Sequence, residues 1–142
     1  MSDSASAIPL AVNGTLMRGL ELNPNLLAVG ATFLREAATE SAYRLWSIAD
    51  RHPAMVRVRA GGVAVAVEVW AVPAAGLASI LLKEPPGLSL GWVKLEDGSQ
   101  MIGVLAETAT VESMVDITEY GGWRAYLSKQ TGPSMVKASR LK

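Results

Sequence analysis

Val63-Ala64-Val65-Ala66-Val67-Glu68-Val69-Trp70-Ala71-Val72 alternates valine at the odd positions with small, charged or aromatic residues at the even ones as far as Trp70. A two-residue period in a run rich in β-branched side chains is the signature of a strand with one face committed to a core. Working outward, Tyr43 to Ile48 and Met55 to Arg59 are runs of the same kind, and Gly61-Gly62 ahead of Val63 reads as a hairpin turn. Downstream, Pro73 to Leu82 predicts a short helix that Pro85-Pro86-Gly87 stops. Trp92 to Leu95 and Gln100 to Glu107 then flank Glu96-Asp97-Gly98-Ser99, where Asp-Gly marks a tight turn. Upstream, Ile8 to Val12 is an apolar run broken by Asn13-Gly14, which fits a buried strand and its exit. Asn23-Pro24 supplies an N-cap and a first helical position, and Leu26, Leu27, Gly30, Phe33 and Leu34 recur at helical spacing, so a helix over 24–37 is expected. Asp116 is placed to cap a last helix carrying Trp123, Tyr126 and Leu127.

About six short strands with two or three helices predict an α+β domain with a mostly antiparallel, barrel-like sheet. At 142 residues the chain suits one domain, expected over 9–128. Residues 1–8 and the basic stretch 129–142, with Lys129, Lys137, Arg140 and Lys142, read as tails. Thirteen Lys+Arg balance thirteen Asp+Glu, which argues against an electrostatic nucleic-acid binder. The absence of Cys excludes disulfides and thiolate metal sites, and a single His cannot build a multi-histidine one, so neither metal nor cofactor is expected. No apolar run reaches the ~18 residues of a membrane span, and the start MSDSASAIP lacks the features of a signal peptide, so the expectation is a cytoplasmic protein without membrane partners. Half the residues are hydrophobic and the formal net charge is zero, which leaves little repulsion between copies and points to a homodimer.

The first candidate site is Asn13-Gly14-Thr15-Leu16-Met17-Arg18-Gly19, a glycine-containing turn straight after a strand. Such a turn can aim successive backbone N–H groups outward as a nest for a carboxylate or oxyanion. It is not a phosphate-binding P-loop, because Leu20 and Glu21 stand where Lys and Ser/Thr are needed. Glu68, the one charge in its strand, is either an acid or base of raised pKa or a solvated residue on an open sheet face. Glu84, before two prolines, is either held at a pocket mouth or a loop surface charge. Gly121-Gly122-Trp123-Arg124 is costly in a helix and needs close packing or a ligand to compensate. Arg124 either pairs with a carboxylate or lays its stem over Trp70 or Trp92. His52, in Asp50-Arg51-His52-Pro53, is assigned a surface role.

Six strings in order, LAVNGTLMRGLELN (10–23), AYRLW (42–46), PAMVRV (53–58), VEVWAVP (67–73), LEDGSQMIGVLAE (95–107) and DITEYGGWRAYL (116–127), resemble the C-terminal domain of allophanate hydrolases. The likeness covers about 9–127, and GGWRAYL is its most specific piece. It implies a γ-glutamylcyclotransferase-like fold, a small mixed β-barrel with flanking helices. In full-length allophanate hydrolases an amidase domain releases ammonia and the C-terminal domain acts on the N-carboxycarbamate product. The resemblance therefore implies a small ureido or carbamate-type carboxylate, bound and decarboxylated with a separately encoded amidase as partner. The allophanate hydrolase motif resembles G-A-H, whereas this chain has Gly14-Thr15-Leu16, and leucine transfers no proton.

The same stretch is similar to the Y-G-[ST]-L signature of the cyclotransferases, with Asn13 in place of Tyr. There the loop holds the substrate and a glutamate after the short helix acts as general base. Glu84, in a segment only loosely like L-D-x-x-E-G, is the matching candidate, and Glu68 matches a glutamate of the barrel strand. Three readings stand: a carboxylate-binding allophanate hydrolase-like domain using Asn13, Gly14, Thr15, Leu16, Glu68 and Arg124; a cyclotransferase-like lyase with Glu84 as base; and a non-catalytic accessory subunit of an amidase.

Overall fold

The computed structural model describes residues 7–130; of the tails expected over 1–8 and 129–142, residues 7–8 belong to a strand and 129–130 to a helix, and the rest lie outside the described residues. The chain runs through Ala7–Val12 (β1), Asn23–Ala28 (α1), Thr32–Ala38 (β2), Tyr43–Ile48 (β3), His52–Arg57 (β4), Ala66–Pro73 (β5), Ala74–Leu82 (α2), Leu88–Lys94 (β6), Gln100–Ala106 (β7), Thr108–Val111 (α3), Val115–Asp116 (β8) and Trp123–Gln130 (α4). A single 3-10 turn, Thr118–Tyr120, precedes α4.

The elements form a mixed α+β fold with two sheets, five-stranded β2-β5-β1-β7-β6 and three-stranded β4-β3-β8. Every strand pair is antiparallel except β1 with β7. The two edges of the larger sheet meet at one end only. There Thr39 and Leu95 form an isolated bridge, Glu40 N–H donates to Lys94 O and Glu96 N–H donates to Ala38 O. No continuous ladder joins those edges among the described residues, so the sheet curls without closing into a barrel.

Three element expectations are corrected. The apolar spacing over 24–37 is not one helix: α1 ends at Ala28 and the chain returns as β2, paired with β5. Gly30, counted as a helical position, is instead the stop. It sits at φ +80°, where glycine carries no Cβ penalty. Gly30 N–H bonds Leu27 O while Ala31 N–H bonds Leu26 O, a Schellman cap. The Gly61-Gly62 hairpin does not form either, since β4 pairs with β3 in the small sheet and β5 pairs with β1 and β2 in the large one. The glycines carry the crossover between sheets. A Cβ on Gly62 would lie 2.5 Å from the Ala42 carbonyl carbon, so only glycine allows that approach. Asp116 likewise does not cap α4; its Oδ1 accepts from Thr118 N–H at the 3-10 turn, and Arg44 pairs with its other oxygen.

The valine face of β5 is core: Val67 and Val69, with Val65 just ahead of the strand, are packed among Leu10, Val12 and Tyr43. Each fully buried aliphatic side chain there contributes roughly 1.5–3 kcal/mol. The opposite face is covered too. Glu68 and Trp70 are each only 2% exposed, and Arg18 of the chain leaving β1 and Arg124 of α4 reach over to Glu68. Trp70 meets Phe33 edge-on at 5.6 Å between ring centres.

Candidate functional site

β1 ends at Val12, opposite Glu68 in the β5 ladder, and the chain then turns through residues 13–22. Turns close that segment on itself: Met17 N–H donates to Gly14 O at 3.0 Å and Leu22 N–H to Thr15 O at 2.9 Å. Side chains fasten it from both ends. Asn13 Nδ2 donates to Val104 O at 2.9 Å, and Asn23 Nδ2 to Leu16 O at 2.8 Å. The amide of Asn13 is thus spent on the fold, and Leu16 is buried. The backbone N–H groups of Gly14, Thr15 and Leu16 donate to no atom among the described residues. Three successive free donors in a turn make a nest for an anion.

This loop separates two carboxylates with opposite environments. On one side Glu68 Oε1 accepts from Arg18 N–H at 2.9 Å and from the Trp70 indole at 3.1 Å. Its Oε2 accepts from Arg18 Nε and from Arg124, both at 3.1 Å. Arg124 also donates to Arg18 O, so the fork of α4 clamps loop and carboxylate together. Arg18 lies 3.8 Å over the Phe33 ring and pairs with Glu36 as well. Burial alone raises a carboxyl pKa, but the bonds from Arg18 and Trp70 and the Arg18 charge outweigh it and hold Glu68 below its ordinary value. Neither expectation for Glu68 stands: it is not solvated, and it is not a carboxyl of raised pKa. Arg124 does pair with a carboxylate, an internal one.

On the other side Glu84 follows α2, with its N–H bound to Leu81 O and Pro85-Pro86 behind it. Its carboxyl accepts no hydrogen bond among the described residues, and burial pushes its pKa up. Glu84 faces the loop. It lines a space of about 20 Å³, room for one water, together with Asn13, Gly14, Thr15, Leu16 and His52. Thr15, His52, Glu84 and Leu88 also line the adjoining space of about 200 Å³, which Glu21, Leu22, Arg51 and Pro85 complete. Glu68 and Arg124 line a different cavity with Glu36 and Met17.

His52 is the residue that sequence reasoning misplaced. It is half-buried in this cavity, not a surface group, and Arg51 stands beside it at the rim. The hairpin between β3 and β4 delivers both. At its tip Ala49 and Asp50 have φ of +54° and +58°, conformations that L-residues rarely adopt. Asp50 is held there by Ser47 and by the Tyr126 hydroxyl, 2.7 Å from its Oδ1. Pro53 then packs on the loop so tightly that a Cβ on Gly14 would lie 2.5 Å from its Cδ. The signal was thin, since a lone His beside a Pro in a polar stretch says nothing about a loop far along the chain.

A family model for the allophanate hydrolase C-terminal domain matches residues 8–128. The chain belongs to that family. Within it, the urea amidolyase of Saccharomyces cerevisiae is 34% identical over 131 residues, 87% of this chain but 7% of that protein. The chain therefore spans a small fraction of the curated relatives it matches. Among solved structures, c4763, a uropathogenic E. coli-specific protein, is 55% identical with a TM-score of 0.84, covering 86% of this chain and 96% of that one. Kluyveromyces lactis allophanate hydrolase is 29% identical with a TM-score of 0.82, covering 87% of this chain and 21% of that one. An Aig2-like protein of Mus musculus, 22% identical with a TM-score of 0.56 over 73% of this chain and 78% of its own, shares the fold. That likeness is one of fold and agrees with the mixed α+β architecture, in which no closed barrel is found among the described residues.

No described helix is long and apolar enough to cross a membrane.

Proposed function

We propose that the cavity between the Gly14-Thr15-Leu16 turn and Glu84 binds a small ureido or carbamate-type carboxylate and promotes its decarboxylation. The observation that carries this reading is the pairing of three free backbone donors with an unpartnered, half-buried carboxyl in one cavity. A space of about 200 Å³ is below the ~300 Å³ of drug-sized pockets, which suits a ligand of few heavy atoms. One carboxylate sits against the N–H groups, and Arg51 at the rim meets a second. Glu84, kept neutral to higher pH by burial, donates its proton to the substrate nitrogen as the C–N bond breaks, the electron pair stays on nitrogen and carbon dioxide leaves. Asn13, Glu68 and Arg124 act in this reading by holding the loop rather than by touching ligand. The partner is an amidase that supplies the carboxylate, encoded separately or elsewhere in a longer protein.

A second reading has Glu84 as the general base of a cyclotransferase-like lyase. Its support is the same half-buried carboxyl facing the loop, because a desolvated carboxylate is also a stronger base. A thermal-shift series with malonate, ureidoacetate and γ-glutamyl amines separates the two. Ligand at ~100 times its dissociation constant adds ~2.7 kcal/mol of stability. Stabilisation by malonate or ureidoacetate, lost in Gly14→Ala, supports carboxylate binding. Stabilisation by γ-glutamyl amines alone moves the assignment to cyclotransfer. No stabilisation by any of them leaves the accessory-subunit reading.

A further inference from the structure

His52 is the chain's sole histidine and, like Glu84, it lines both parts of the cavity. Its Nδ1 lies 3.1 Å from Pro53 O. A carbonyl only accepts, so this contact puts a proton on Nδ1 and leaves Nε2 as the nitrogen available to a ligand. With Nδ1–H engaged, the neutral ring presents a bare lone pair at Nε2, which repels an anion. The charged ring presents an N–H, which binds one. The ring is well anchored for this work, since Pro53 packs on Gly14 and the hairpin tip is tied through Asp50 to Tyr126.

The other charged groups facing this space are Glu84 after α2, Glu21 in the loop, and Arg51 on the same hairpin. With His52 charged and Glu84 neutral, the walls carry one positive charge in excess. With His52 neutral and Glu84 ionised, they carry one negative charge in excess. The first combination favours a bound anion and the second opposes it, so the charge states of the ring and of the carboxyl act on an anion in the same sense.

We propose that His52 is the anion-pairing residue of this cavity, its imidazolium Nε2–H donating to a carboxylate oxygen of the bound ligand. The proposal rests on the carboxylate-binding reading above and adds the residue that sets its preference for anions.

One imidazole per chain gives one set of ring signals, so the group can be followed directly by NMR. The test uses the whole protein, titrated from about pH 5 to 8 with and without saturating malonate, with backbone amides recorded alongside. Malonate is expected to shift the amides of Gly14, Thr15 and Leu16 and to move the imidazole titration midpoint up by ~1 pH unit, the equivalent of a tenfold preference for the charged ring. Glu84→Gln is expected to keep that upward movement, which separates His52 from its neighbour. His52→Gln is expected to bind malonate ~10-fold more weakly near pH 6, with its distant amides unmoved. If malonate shifts the three loop amides while the imidazole midpoint stays within about 0.2 unit, the cavity binds carboxylates and the His52 proposal is overturned. If malonate moves none of those amides at any pH, the carboxylate-binding reading falls and the His52 proposal falls with it.

Discussion

Glu68 and Glu84 are the same side chain on opposite sides of one loop, and the fold treats them in opposite ways. Glu68 is nearly inaccessible, yet it stays ionised because a backbone N–H, an indole and two guanidinium groups converge on it. Glu84 is half-buried and meets no donor among the described residues, and its ionised form is disfavoured. Burial alone therefore does not decide a carboxyl's behaviour; the count of donors aimed at it does. A carboxylate whose lone pairs are filled by protein holds structure together. One left without partners beside free N–H groups has capacity for a ligand.

The comparison is most exposed at Glu68. Glu68→Ala strips acceptors from Arg18 N–H and the Trp70 indole and takes a buried carboxylate partner from two guanidinium groups, and is expected to cost about 3 kcal/mol in urea denaturation. A loss below about 0.5 kcal/mol would mean that the cluster does not hold the loop.

A middle-sized effect is expected at the contact that sets the loop against the hairpin. Gly14→Ala forces a methyl into the Pro53 ring and is expected to cost about 2 kcal/mol. Pro53→Ala in the same chain should recover part of that cost, and a double-mutant cycle with coupling under about 0.5 kcal/mol would remove the claimed contact.

The smallest effect is expected at Glu84. Glu84→Gln at neutral pH should change stability by less than ~1 kcal/mol, and in the favourable direction, since it replaces a disfavoured charge with a neutral amide. The pH dependences give the comparison its sign. Glu68, lowered in the folded state, adds stability that is fully present above the ordinary carboxylate value and is lost as pH falls through its own depressed value. Glu84, raised, favours the fold below the ordinary carboxylate value, and that contribution is lost as pH rises through its elevated value. Denaturation of Glu68→Gln and Glu84→Gln between about pH 3 and 8 should therefore show differences from wild type that run in opposite directions with pH. Parallel curves would break the contrast.

Local pattern was legible wherever one principle acted alone. The valine alternation of β5 marks a core face whatever lies across from it, α2 ends where Pro85 forbids more helix, and the Asp97-Gly98 turn joins β6 to β7 as its residues demand. Where two patterns competed, tertiary pairing chose. The apolar residues after Gly30 fit a helical period as well as a strand, and the free edge of β5 recruited them as β2.

Sequence by itself determined the family and the α+β class, and it offered the loop after β1 as a candidate nest and Glu84 as either a residue at a pocket mouth or a loop surface charge. These follow from residue identity and short-range spacing, which the chain carries from end to end. Only the tertiary structure decided which carboxylate is satisfied and which is not. Glu68 depends on Arg18 and Arg124, and Glu84 shares its cavity with His52, partners drawn from elements remote in the chain. Solvation and hydrogen bonding act over a few ångströms of space, and no one-dimensional spacing records which distant residues those ångströms will contain.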